Sequence, residues 1–150
     1  IEEAERRCRI GLPVYARTTG PLEGALDWSA IASGAPKDRL YQLRPHRFGF
    51  LPRLAIAASC GANTLPAILA ILDGWIAQVD KRRLGDAYFS NLVIVYRLLA
   101  IGWTAPFCAA MAQKGDKVAS AICLRLFRIL AADIHCLGPR LGDSVAGATG

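Results

Sequence analysis

Two pairs of apolar runs with helical spacing, each pair joined by a very short link, constrain this chain more than any other feature. In the first run Leu51, Leu54 and Ala58 share one face. Pro52 falls in a first turn, where its missing N–H costs nothing, and Gly61 follows at a C-cap position. Asn63-Thr64 then caps the second run, with Pro66 in its first turn. Leu65, Ile68, Leu69, Leu72, Ile76 and Val79 make an i, i+3, i+4, i+7 stripe, flanked by Trp75. The link from Cys60 to Asn63 is too short to cross the protein, so these helices are expected to be antiparallel neighbours.

A charged turn, Asp80 to Asp86, separates the second pair from the first. The third helix is expected from about Tyr88 to Gln113, carrying Leu92, Val95, Leu98, Leu99 and Trp103. Pro106 should kink or split it. Lys114-Gly115-Asp116 is the second short turn, with Asp116 as N-cap. The fourth helix, with Val118, Ile122, Leu126, Ile129 and Leu130 on its apolar face, should end at Gly138-Pro139. Residues 1–45 are punctuated by Pro13, Gly20-Pro21, Gly24, Gly34 and Pro36, and read as an irregular segment with short helices near Glu2–Arg9 and Leu22–Ile31. No run alternates as a strand would. The expected fold is all-α: antiparallel helical hairpins over 46–150, preceded by that segment.

At 53% hydrophobic and 20% charged over 150 residues, the chain can bury a core and is too apolar for disorder. Its mean hydropathy of +0.30 points to burial against something outside the chain, or to contact with a membrane. Each candidate span, however, holds a charge near its middle: Asp73, Arg97, or Arg125 with Arg128. Such a charge costs about 3 kcal/mol at a bilayer centre. A membrane protein is therefore the minority reading.

The net charge is +6, and of the 18 basic residues only Lys37, Lys81, Lys114 and Lys117 are lysines. Arginine's planar fork matches carboxylate, sulfate and phosphate, but it also snorkels along apolar faces, and the two readings weigh about equally. The five cysteines form no CxxC pair and only two histidines could join them, so no metal site and no cofactor is expected. The chain has no Walker loop, GxGxxG, HExxH or GxSxG.

Arg97 lies among Val93, Ile94, Val95, Tyr96, Leu98 and Leu99. Buried there, it must find a carboxylate, a carbonyl cluster or a ligand anion, and an ion pair to a nearby helix carries slightly more weight than a ligand. His46 and Arg47 stand at a helix entrance, where an anion could bind, though a lone histidine is more often a cap or loop residue. Trp75 and Trp103 could stack on a sugar, but aromatics at this spacing are more often core. Asp133 and His135, two apart, point to different sides of a helix and make a poor catalytic pair.

The run from Leu40 to Ser144 resembles the helical N-terminal part of the heparinase II/III-like polysaccharide lyases. The resemblance rests on Leu43-Arg44-Pro45-His46-Arg47-Phe48 before a helix, Leu72-Asp73-Gly74-Trp75-Ile76 in the next, and Phe89-Ser90-Asn91 leading through Arg97 to Trp103. Phe127-Arg128-Ile129-Leu130 follows, and Gly142-Asp143-Ser144 comes last. It implies part of an α/α toroid and β-elimination beside a uronic acid, with an acidic polysaccharide as partner and no nucleic acid. The bacterial cytoplasm or periplasm would be its place. Arg97, Trp103, His46 and Arg47 would bind substrate. The family's Asn-His segment would fall after Ser144, where this sequence reads Val145-Ala146-Gly147-Ala148-Thr149-Gly150. The catalytic residues are therefore missing from it, and activity from this chain alone is not expected. A non-catalytic helical interaction module is the alternative, and it gains if Arg97 is paired internally. Exposed apolar faces would favour self-association or a further domain.

Overall fold

The structure, a computed structural model, describes residues 1–10, 13–14, 17–18, 28, 43–80 and 90–146. It is all-α, with helices α1 (Glu2–Ile10), α2 (Leu51–Ser59), α3 (Leu65–Asp80), α4 (Asn91–Gln113) and α5 (Lys117–Ala146), and a 3-10 turn at Pro45–Arg47. Beyond these there is one antiparallel ladder, β1 (Pro13–Val14) with β2 (Arg17–Thr18), too short for any alternation to announce. The expected helix near Leu22–Ile31 and the charged turn from Lys81 to Asp86 lie outside the described residues, as does the expected start at Tyr88.

Both hairpin turns close in the same way. Gly61 at φ +97° donates to the Ala58 carbonyl, and Ala62 donates to Ala57. Gly115 at φ +94° donates to Ala112, and Asp116 donates to Met111. Each is a Schellman motif, which satisfies helix-end carbonyls and needs a residue without a Cβ at the left-handed position. Asp116 caps α5 as expected: its Oδ1 accepts from the Ala119 N–H at 2.9 Å. Thr64 does something else. Its buried hydroxyl donates to the Leu54 carbonyl at 2.7 Å and ties α3 back to α2.

The hairpins stack in two layers, α2 beside α4 and α3 beside α5. Leu51, Leu54, Ile68, Leu72, Trp75, Ile122, Leu126 and Ile129 fill one core between them. From residues 1–45, Trp28 and Leu43 belong to that core and Ala4 packs against it, so these three residues share the hairpins' core.

One helix boundary differs from expectation, and of the two outcomes expected at Pro106, a kink or a split, the split does not occur. Pro106 and Gly102, the residue whose carbonyl it leaves without a helical donor, are both exposed, so solvent can satisfy that carbonyl. Gly138-Pro139 does not end α5, which continues to Ala146. A proline removes one donor and strains one turn, at about 3 kcal/mol. A long helix already packed on α3 and α4 over its earlier turns tolerates that.

The orientation of α4 is the largest difference. Leu92, Val95, Leu99 and Trp103, read as its apolar content, are exposed. The buried face is instead Val93, Ile94, Arg97, Ala100, Ile101, Thr104 and Cys108. The helix is apolar on nearly every side, so periodicity cannot choose its inner face. Small residues at 100, 104 and 108 let α5 approach closely.

Candidate functional site

The described polar side chains that are fully buried meet mainly in one place. Arg97 comes from α4, Asp133 from α5, His46 from the 3-10 turn and Trp75 from α3. Arg97 is 0% exposed. Its Nε donates to Asp133 Oδ2 at 2.7 Å and its Nη2 to Oδ1 at 2.5 Å, a bidentate fork. Its Nη1 donates to the His46 carbonyl at 3.1 Å. The guanidinium also lies 4.7 Å from the Trp75 ring centre and 5.9 Å from that of Phe48, so cation–π contacts cover its faces.

The 3-10 turn places His46. The Arg47 N–H donates to the Arg44 carbonyl, and the Phe48 N–H to Pro45. Phe48 then takes a left-handed φ of +55°, uncommon for a residue with a Cβ. This swings the Phe48 ring into the core, edge-on to Trp28, Phe50 and Trp75. His46 itself sits 4.9 Å from the Trp28 ring, and its Nδ1 accepts from the Trp75 Nε1–H at 3.0 Å. That bond requires an unprotonated Nδ1. Burial, and then the positive Arg97, push His46 down to about 3 from an ordinary 6.5.

A pH dependence follows. Between pH 6.5 and about 3 the unfolded chain protonates this histidine while the folded chain does not. The unfolded state then binds more protons, so the contribution of His46 to stability is full above 6.5 and declines as pH falls toward 3. Urea midpoints measured from pH 7.5 to 4.5 should fall, and His46→Gln should fall less over the same interval. Equal slopes would exclude His46 as the source.

The four residues expected to bind substrate do not assemble into one surface. Arg97 and His46 are enclosed, held by Asp133 and Trp75. Arg47 is half-buried at the edge, its guanidinium 4.9 Å over the Tyr96 ring. Trp103 is 69% exposed on the outer side of α4. There it stands beside a shallow groove of about 600 Å³ lined by Val95, Leu98, Leu99, Gly102 and Pro106. Comparison with family models, with curated proteins and with solved structures finds no match.

Asp133 is the residue that sequence reasoning passed over, set aside because His135 made a poor partner for it. His135 is indeed exposed while Asp133 is buried. A signal existed: Arg97 and Asp133 are 36 residues apart, and Gly115 is their midpoint. Folding the chain about that turn lays one against the other.

Among the described residues no three of His, Cys, Asp and Glu converge as a metal site would need. Both Asp133 oxygens are engaged by Arg97. The charges that argued against membrane spans find protein partners: Asp133 for Arg97, and Asp73 for Arg125 at 2.8 Å. Helix α4 is nonetheless long and apolar enough to cross a membrane by length and composition.

Proposed function

We propose that this chain is a non-catalytic helical-hairpin module, and that a further apolar helical hairpin docks along the outer face of α4. One observation carries the reading. From Leu92 to Pro106 helix α4 contributes no charged side chain to that face, which exposes Leu92, Val95, Tyr96, Leu99 and Trp103, with the half-buried Arg47 over the Tyr96 ring at its edge. Contiguous apolar surface of this kind marks an interaction site. The stacking of α4 on α2 and of α5 on α3 supports a helical occupant, because another hairpin would continue the same two layers. The internal use of Arg97 on Asp133 also favours a module over a sugar-binding cleft.

A second copy of the chain is the most direct probe. Sedimentation should show association beyond the 16.1 kDa monomer, growing with concentration. Leu99→Glu with Trp103→Glu should leave the helical circular dichroism and the unfolding midpoint unchanged while weakening association at least tenfold. A monomer at every concentration, with no binding of an apolar dye to this face, would remove the reading.

One observation favours a second reading, that the module belongs to a heparinase II/III-like lyase of uronate-containing polysaccharides. Three of the motifs behind the resemblance supply His46, Trp75 and Arg97, and these converge in one buried network. In that reading the network stiffens the wall of an α/α toroid. Trp103 offers a stacking face to the sugar, and the proton-abstracting groups lie outside this chain. Unsaturated uronate product, followed by its ultraviolet absorbance, should be absent with this chain alone and present with a chain extended to carry the family's Asn-His segment. Silence from both would leave packing similarity as the whole of the resemblance.

A further inference from the structure

We infer that the groove on α4 is a self-recognition site: two copies of the chain pair about a two-fold axis parallel to α4, and the Trp103 indole of each enters the other's groove and donates to its Gly102 carbonyl. The inference rests on the docking face proposed above and goes further, because it names the occupant and the contact that selects it.

The sequence of α4 supplies both halves of the contact. A proline inside a helix lacks the N–H that would bond the carbonyl four residues earlier, so Pro106 frees the Gly102 carbonyl. Both residues are exposed, and both line the groove of about 600 Å³. A Cβ added to Gly102 would meet no atom within 4 Å, so the space above it is open. The side chains around it are apolar, and the Trp103 N–H is the one polar group they bring. Such a groove selects an aromatic body with one hydrogen-bond donor, because an occupant without a donor would bury the Gly102 carbonyl unpaired. The chain exposes such a group itself. Trp103 is 69% exposed, whereas Trp28 and Trp75 are buried.

The positions let both contacts form at once. At about 3.6 residues per turn, Leu98 stands at one edge of the groove strip and Trp103 at the other, with Gly102 and Pro106 between them. Gly102 and Trp103 are neighbours along α4, about 1.5 Å apart in height. A two-fold axis parallel to α4 keeps that height and exchanges the two edges. Each Trp103 then faces the other copy's Gly102, and every contact occurs twice. A two-fold axis across α4 would set Trp103 against Trp103 instead. The strip carries no charged side chain, so two copies of a chain of net charge +6 meet there without opposing like charges.

The test is sedimentation equilibrium of the full chain and its variants, with thermal unfolding of each. The natural chain should form a dimer, and its Trp103 emission should shift to the blue as the dimer forms. Trp103→Phe keeps a ring for the groove but loses the donor, and should weaken dimerisation about tenfold, since two hydrogen bonds are lost per dimer. Pro106→Ala returns a helical N–H to the Gly102 carbonyl. It should raise the thermal midpoint yet weaken dimerisation by a similar factor. The two changes together should weaken it no more than either alone, because they remove the same bond from opposite ends. Gly102→Leu fills the groove and should leave a monomer with unchanged helical circular dichroism. A dimer that tolerates Gly102→Leu, or losses from Trp103→Phe and Pro106→Ala that simply add, would overturn the inference. If that dimer were still broken by Leu99→Glu with Trp103→Glu, the docking face would stand without this contact. A monomer at every concentration would overturn both.

Discussion

Asp133→Ala should lower the unfolding free energy by about 3–5 kcal/mol, because it leaves a buried guanidinium without its carboxylate. Small domains are stable by only about 5–15 kcal/mol, so the variant should sit near the edge of folding. Arg97 would keep the His46 carbonyl and the Trp75 ring, but neither neutralises its charge. Removing both partners gives the informative contrast. Arg97→Met with Asp133→Leu replaces the ion pair by apolar groups of similar size, which is often neutral or stabilising, so most of the loss should be recovered. Urea unfolding followed by circular dichroism measures all three chains. A loss under about 1 kcal/mol for Asp133→Ala would mean that the pair is not desolvated as its full burial implies.

The double variant tests a second role. The fork is a bidentate contact between α4 and α5, and it constrains their register. An apolar pair in its place can be stable yet less specific. Amide hydrogen exchange along α4 should then weaken more than the global stability does.

Trp75→Ala should cost about 3–5 kcal/mol, and Trp103→Ala should lie within about 0.5 kcal/mol of the natural chain. Trp75 is 2% exposed and packs against Phe48 with ring centres 5.4 Å apart. Its indole N–H donates to His46 and its face covers Arg97, so truncation opens a cavity and strips two polar neighbours at once. Trp103 is 69% exposed and has no such neighbours to lose. Fluorescence gives an independent check, because loss of Trp75 should remove blue-shifted emission and loss of Trp103 red-shifted emission. Comparable destabilisation by the two would show that the outer face of α4 is buried in solution, by self-association or otherwise. That result would bear directly on the proposed docking face.

The two tryptophans also mark what could be read in advance. Both flank apolar helical runs, and nothing within a few residues of either distinguishes them. What the sequence determined by itself was local. The i, i+3, i+4 spacing of Leu65 to Ile76 forms a helix wherever it lies. Gly61 and Gly115 end helices because only a residue without a Cβ enters that turn cheaply, and Asp116 caps α5 with its own side chain. These features set the all-α class and both hairpins. The need of Arg97 for a counter-charge was equally legible, since isolated burial is too costly in any fold.

Only the tertiary structure decided which side of α4 faces inward, because a helix apolar all round carries no periodic signal to orient it. It also decided that Asp133 answers Arg97, that a left-handed Phe48 turns His46 and the aromatic rings inward, and that α5 runs through Pro139. Each of these depends on groups distant in the chain and brought together by packing. Such contacts are worth several kcal/mol, against the few tenths to about one by which local preferences differ.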